Sequence, residues 1–77
     1  DEQGLTARDY QYLQALESGP RGLPALQQLL PLKDDEITVH LEPYLLQIGA
    51  IRRNSRGRSL TVLGEQILHR HRANRKE

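Results

Sequence analysis

The sequence has no cysteine, no phenylalanine and no tryptophan. Without cysteine, neither a disulfide nor a thiolate metal site holds the fold together. That absence fits a cytosolic protein. The core must be aliphatic, with leucine supplying most of it. No apolar run approaches the roughly 18 residues needed to span a membrane. The opening Asp1-Glu2-Gln3-Gly4 is acidic and polar, which excludes a secretory signal there. At 77 residues the chain makes one domain at most. Its core is modest, and so is the stability that core can supply. Internal repeats and low-complexity blocks are lacking.

Charge is unevenly placed. Residues 1–48 carry three Lys or Arg against eight Asp or Glu, a net of −5. Residues 49–77 carry eight against two, a net of +6. A basic half of this kind points to an anionic partner. It says nothing about fold.

Thr6 followed by Asp9 makes a capping box that opens a helix. Leu5, Tyr12, Leu13 and Leu16 fall on one side of that helix, which ends near Glu17. Ser18-Gly19-Pro20 stops it. Arg21-Gly22-Leu23 reads as a short extended piece. Pro24 suits the first turn of a second helix, with Ala25, Leu26, Leu29 and Leu30 as its apolar stripe. Pro31 ends it. Asp34-Asp35-Glu36 puts negative charge at the start of a third helix, where the macrodipole favours it. At 100° per residue, Ile37, Leu41, Tyr44, Leu45 and Ile48 share one arc of that helix, and Gly49 closes it. Pro43 interrupts it. Either the helix kinks between Val39 and Pro43, or two short helices meet there. The arc stays in phase across Pro43, which favours the kink.

Ala50 to Arg53 reads as a strand, Asn54-Ser55-Arg56-Gly57 as a turn, and Arg58 to Thr61 as the returning strand. Thr61 caps a fourth helix with Leu63, Ile67 and Leu68 inward. Beyond His69 the sequence turns polar and basic, and its last six residues read as frayed. The predicted fold is mainly α with a small antiparallel sheet. Its order is helix, short strand, helix, helix, strand, wing, strand, helix, which is a winged helix-turn-helix.

The hairpin contains "RRNSRGRS", four arginines in residues 52–59 with no acid. A solvated turn kept soluble by charge explains it. A basic finger built to touch phosphate explains it equally well on charge alone.

A longer stretch separates the two readings. "EPYLLQIGAIRRNSRGRSLT", Glu42 to Thr61, closely resembles the C-terminal domain of the RuvB family, the bacterial Holliday-junction branch-migration motors. Glu42, Pro43, Tyr44, Leu45, Gln47, Gly49, Arg53, Arg56, Gly57, Arg58 and Thr61 match that family's pattern. "GLTARDYQYL" (4–13) and "GPRGL" (19–23) resemble its entry segments. The likeness covers about residues 4–68. Asn54-Ser55 and Val62 depart from the family's usual Thr-Pro and proline. His40 replaces a common acid, and the tail beyond His69 is longer.

The resemblance implies a linker remnant at 1–4, a winged-helix domain at 5–68 and a basic tail at 69–77. It also implies DNA binding in recombination, repair and the SOS response, in the cytoplasm. Double-stranded DNA and the Holliday junction would be the ligands. The parent would be a hexameric ATP-dependent helicase working with RuvA, with ATP and Mg in its ATPase part. The phosphate-binding motif G-x-x-x-x-G-K-[ST] does not occur in these residues, so catalysis and cofactors are not expected of them.

The expected DNA contacts are Arg56 and Arg58 as primary phosphate or minor-groove ligands, Arg53 in support and Arg52 beside it. Arginine suits the task because its planar fork grips phosphate and stays charged. Gly57 would let backbone N–H groups approach a phosphate. Arg52 and Arg53 alternate along a strand, so one of them faces elsewhere. The third helix carries Asp34, Asp35, Glu36 and Glu42, which would repel a phosphate backbone. Contact should therefore rest on the wing and show little base preference, unlike most winged helices. The competing reading is a protein-interaction winged helix that uses the acidic third helix. Outward Val39 and Leu46 are either scattered surface aliphatics or a face toward a neighbouring domain.

Tyr44 should be core, as should at least one of Tyr10 and Tyr12. His69 and His71 lie on different faces, which argues against a two-histidine metal site. Arg70, Arg72, Arg75 and Lys76 either add attraction to DNA or merely solvate the tail. Ser18, Ser55 and Ser59 have no histidine placed to activate them.

Overall fold

The computed structural model describes residues 4–75, and the side chains of residues 4–74. Residues 1–3 of the expected linker, together with Lys76 and Glu77, lie outside the described residues. Helix α1 (Ala7–Ala15) begins with the expected capping box. The Thr6 hydroxyl accepts from the Asp9 amide at 3.3 Å, and the Thr6 amide donates to Asp9 Oδ2 at 2.8 Å. Helix α2 (Leu23–Leu29) has Pro24 in its first turn, where the missing N–H costs nothing. Of its expected stripe, Leu26 and Leu30 are buried, but Leu29 faces solvent.

The third helix differs from a simple kinked rod. A π-helical segment, Glu36–Leu41, runs directly into α3 (Glu42–Gln47). The Glu42 amide reaches back five residues to the Ile37 carbonyl. Pro43 has no N–H for the carbonyl of Val39, and its ring would crowd that turn. The wider turn relieves both problems. It also changes the phase, because each π-helical residue turns through less than 100°. Residues beyond the segment are set back around the axis. Glu42 therefore swings inward and is 1% exposed, whereas Tyr44 moves to the edge and is 39% exposed. The expectation that Tyr44 lies in the core is corrected on this ground.

Strands β1 (Ile51–Asn54) and β2 (Gly57–Leu60) form the antiparallel hairpin, with Ile51 opposite Leu60 and Arg53 opposite Arg58. The expected first strand is reduced to a single bridge between Arg21 and Arg58, closed by N–H···O bonds of 2.9 and 2.8 Å. Helix α4 (Val62–Arg75) starts at Thr61, whose hydroxyl accepts from the Gly64 amide at 3.0 Å. Its side chains point as expected at Ile67 and Leu68, while Leu63 is exposed.

Helix α4 does not stop at His69. The His71 ring stacks on Tyr10 at 3.5 Å with the planes 8° apart, and Arg72 donates to both carboxylate oxygens of Glu17 at 2.5 and 2.6 Å. These contacts bind the basic turn of α4 to α1, so the expected frayed tail is helical through Arg75. The single core joins all four helices. It contains Leu5, Leu13, Leu16, Leu26, Ile37, Leu45, Ile51 and Leu68 among others. Each such side chain contributes roughly 1.5–3 kcal/mol on burial.

Candidate nucleic-acid interface

The wing is a four-residue pair of strands joined by Ser55 and Arg56. The Asn54 side-chain oxygen accepts from the Arg56 amide at 2.8 Å, which closes the turn locally. Gly57 follows with φ +118°. A Cβ there would collide with the Arg21 carbonyl oxygen and sit 2.8 Å from the Gly22 nitrogen. The space beside Gly57 is therefore taken by the chain's own backbone. This close approach gives the position a structural reason to be glycine.

Residues opposite one another in an antiparallel pair share a face. Ile51, Arg53, Arg58 and Leu60 thus lie on one side of the hairpin, and Arg52 and Ser59 on the other. Ile51 is buried and Leu60 half-buried, so the first side is the one turned to the core. Arg53 lies near the tip and is exposed. Arg58 stands directly opposite it and is 8% exposed.

Arg58 is bound inside the domain. Its Nε donates to Glu42 Oε2 at 2.5 Å and its Nη2 to Glu42 Oε1 at 3.2 Å. The Tyr12 hydroxyl donates to the same Oε2 at 2.5 Å. Three elements meet at one carboxylate: α1 through Tyr12, α3 through Glu42 and β2 through Arg58. The hydrogen bond it donates to Glu42 pushes the Arg58 guanidinium up. Burial first, then the Glu42 hydrogen bond, push the Tyr12 hydroxyl well above the usual phenol range. Every buried side-chain nitrogen and oxygen among the described residues has a partner.

Arg58 is thereby separated from the arginines with which the sequence grouped it. The same contact answers the concern that Glu42 would repel phosphate, because that acid is buried and paired. The strand period did hold a signal for this. Arg58 stands two residues before Leu60 and must share its face. The identity of its partner, 16 residues away in α3, had no local signal. Arg21 is also structural: its Nε donates to the Ala15 carbonyl at 2.6 Å and its Nη2 to Ser18 Oγ at 2.9 Å, closing the end of α1.

Arg52, Arg53 and Arg56 remain at the surface, and none makes an ion pair among the described residues. Arg70 is likewise exposed, whereas Arg72 is taken by Glu17. The acids of the third helix are partly spoken for as well. Glu36 pairs with Arg8 at 3.4 Å and accepts from the Lys33 amide at 2.8 Å, and Asp34 accepts from Gln27. The acidic surface that the interaction reading requires shrinks to Asp34, whose partner is a neutral amide, and Asp35. Val39 and Leu46 are exposed, as expected. Tyr10 and Tyr12 are both buried in packing. His69 is exposed while His71 stacks, and no metal-holding group of three or more His, Cys, Asp or Glu occurs among the described residues. No helix among them is long and apolar enough to cross a membrane.

Residues 2–69 match the family model of the RuvB C-terminal winged helix domain. The chain is similar to the Holliday junction branch migration complex subunit RuvB of Orientia tsutsugamushi, with 36% identity over 73 residues, covering 90% of this chain and 22% of that protein. It is 40% identical over 72 residues to the same subunit of Acholeplasma laidlawii, covering 88% of this chain and 21% of that one. Among solved structures it superposes on the Thermotoga maritima RuvB Holliday junction branch migration motor with a TM-score of 0.83 and 37% identity, covering 90% of this chain and 24% of that one. The chain spans less than a quarter of the length of these relatives.

Proposed function

The chain belongs to the family of RuvB C-terminal winged helix domains, and from that membership we propose that it is a DNA-contacting module of a Holliday junction branch-migration motor. The wing touches phosphate and reads little sequence. The observation that carries this is the charge left at the wing once Arg58 is accounted for. Arg52, Arg53 and Arg56 are exposed, and residues 49–64 contain no Asp or Glu. Arg56 stands at the tip, where a projecting guanidinium meets a phosphate first. Arg53 supports it from the core-side face and Arg52 from the other.

Double-stranded and four-way-junction DNA are the ligands. The ATP-driven step, with its Mg, belongs to a separate ATPase part of the motor, since the chain has no phosphate-binding loop. Assembly into a ring with RuvA multiplies weak contacts through avidity. The bacterial cytoplasm, where such DNA resides, is the compartment. Non-specific affinity of one module falls around 10⁻⁴ to 10⁻⁶ M at physiological salt.

Binding to duplex and junction DNA across a range of salt tests the reading. Three phosphates neutralised by three arginines give a slope of roughly −2.7 in log K against log salt, and each arginine removed lowers its magnitude by about 0.9. Arg56→Ala, and then Arg53→Ala/Arg56→Ala, should follow that series. Binding that is insensitive to salt, or unchanged in the double variant, would remove the wing from the interface.

A further inference from the structure

The exposed arginines sit on a hairpin with little material of its own, four residues in each strand. Something must fix its angle to the third helix if it is to meet DNA ready-made. Near the tip, at Arg58 of β2, the Arg21 bridge holds the backbone. Backbone pairing at one residue leaves the hairpin free to hinge about that line. The side chain of the same residue supplies the second constraint. Arg58 grips Glu42 through two donors, and Tyr12 of α1 donates to the Oε2 that Arg58 Nε also contacts. A planar bidentate contact resists rotation in a way a single bond does not.

We propose that Glu42 is a positioning residue for the wing: through Arg58 it sets the angle at which Arg52, Arg53 and Arg56 face DNA, while Arg58 itself stays inside and touches no phosphate. The proposal rests on the reading that the wing contacts DNA. It makes Glu42, an acid in a DNA-binding domain, a contributor to DNA affinity. Simple electrostatics predicts the opposite. Removing a negative charge raises the net charge by one and should strengthen binding.

The two roles leave different marks in a salt titration. A lost phosphate contact lowers both the affinity and the magnitude of the salt slope, by about 0.9. A lost positioning contact lowers affinity alone, because the wing must be ordered on binding while the same phosphates are neutralised in the complex. Glu42→Gln keeps the volume and can still accept from Tyr12, but it loses the ion pair. It should bind duplex DNA about three- to tenfold more weakly with an unchanged slope, with folding checked by circular dichroism. Arg56→Ala, run beside it, should lose about 0.9 of slope.

A second measurement needs no variant. On titrating DNA into the unmodified chain, the Nε–H resonance of Arg56 should move in the NMR spectrum while that of Arg58 stays in place. Unchanged or tighter binding by Glu42→Gln, or an Arg58 resonance that moves with Arg56, would overturn the positioning role. If neither Arg56→Ala nor Glu42→Gln changes binding, the failure lies with the wing as the DNA contact.

Discussion

Replacing Arg58 by methionine tests the buried triad most severely. Methionine matches the length of the arginine stem but donates nothing. The Glu42 carboxylate, 1% exposed, keeps only the Tyr12 hydroxyl. A buried ion pair broken from one side costs about 3–5 kcal/mol, because the remaining charge stays desolvated and uncompensated. A domain of this length has roughly 4–12 kcal/mol of stability in all, at about 0.05–0.15 kcal/mol per residue. The substitution should therefore remove about a quarter or more of it. Urea denaturation followed by far-UV circular dichroism reads the loss directly as a lower midpoint.

The penalty should shrink when the whole polar cluster is removed together. The complement is Tyr12→Phe/Glu42→Leu/Arg58→Met, which removes all three polar groups together. It leaves no unsatisfied hydroxyl and no charge, and should recover to within about 2 kcal/mol of the unmodified chain. If Arg58→Met alone lies within about 1 kcal/mol at neutral pH, the guanidinium is in solvent and the triad does not anchor the wing.

Other perturbations test the close approaches around the wing and the end of α4. Gly57→Ala must adopt φ +118° and push into the Arg21 backbone, so thermal denaturation should show a loss of about 1–3 kcal/mol or more. Gly64→Ala opposes two effects: helix propensity predicts a gain of about 1 kcal/mol. Its Cβ, however, would strike the Ala50 carbonyl oxygen and crowd Leu60 at 3.1 Å, and the measured change should be a net loss. Glu17 is held below the usual carboxylate range by the Arg72 hydrogen bond. The stability that the pair contributes is present above the unfolded value of about 4.3 and is lost as pH falls through the lower folded value. Amide-exchange protection in the last turns of α4 should drop in that acid range. Arg72→Gln should abolish the dependence.

Local chemistry made much of this legible in the sequence. Thr6 with Asp9, Pro24 in a first turn and Thr61 before α4 are signals written within a few residues, and each element starts where they stand. The hairpin was legible because a turn cluster separated two extended pieces. The failures share a different cause. Counting 100° per residue across Pro43 assumed an α-helix throughout, so Tyr44 was placed in and Glu42 out. Arg58 was grouped with its neighbours by charge, whereas its face was set by Leu60 and its partner lay in another helix. The end of α4 lacks an apolar stripe, so its stabilisation by a ring stack and an ion pair to α1 was invisible to periodicity. The resemblance to RuvB supplied the family, but the inward turn of Arg58 came from the fold.

These departures form one causal sequence. Arg53 and Arg58 stand directly opposite in the hairpin, an arrangement that like charge makes unfavourable. It is tolerable because one of the pair is neutralised from below. The neutralising acid is available only because the turn before it is π-helical. An α-helical turn would carry Glu42 around toward solvent and leave Arg58 without a partner. The π-helical turn, in turn, accommodates the proline that follows Glu42. Leu41-Glu42-Pro43 thus links the backbone restriction of one proline to the angle of the wing. A substitution that restores the α-helical hydrogen bond, Pro43→Ala, would be an ordinary helix-stabilising change on propensity alone, worth about 3 kcal/mol at an interior site. Here it would free the segment to rewind and to rotate Glu42 away from Arg58. Its effect on DNA binding should therefore resemble that of Glu42→Gln, with lower affinity at an unchanged salt slope. A Pro43→Ala domain that binds DNA as well as the unmodified chain would break the link between the π-helical turn and the wing.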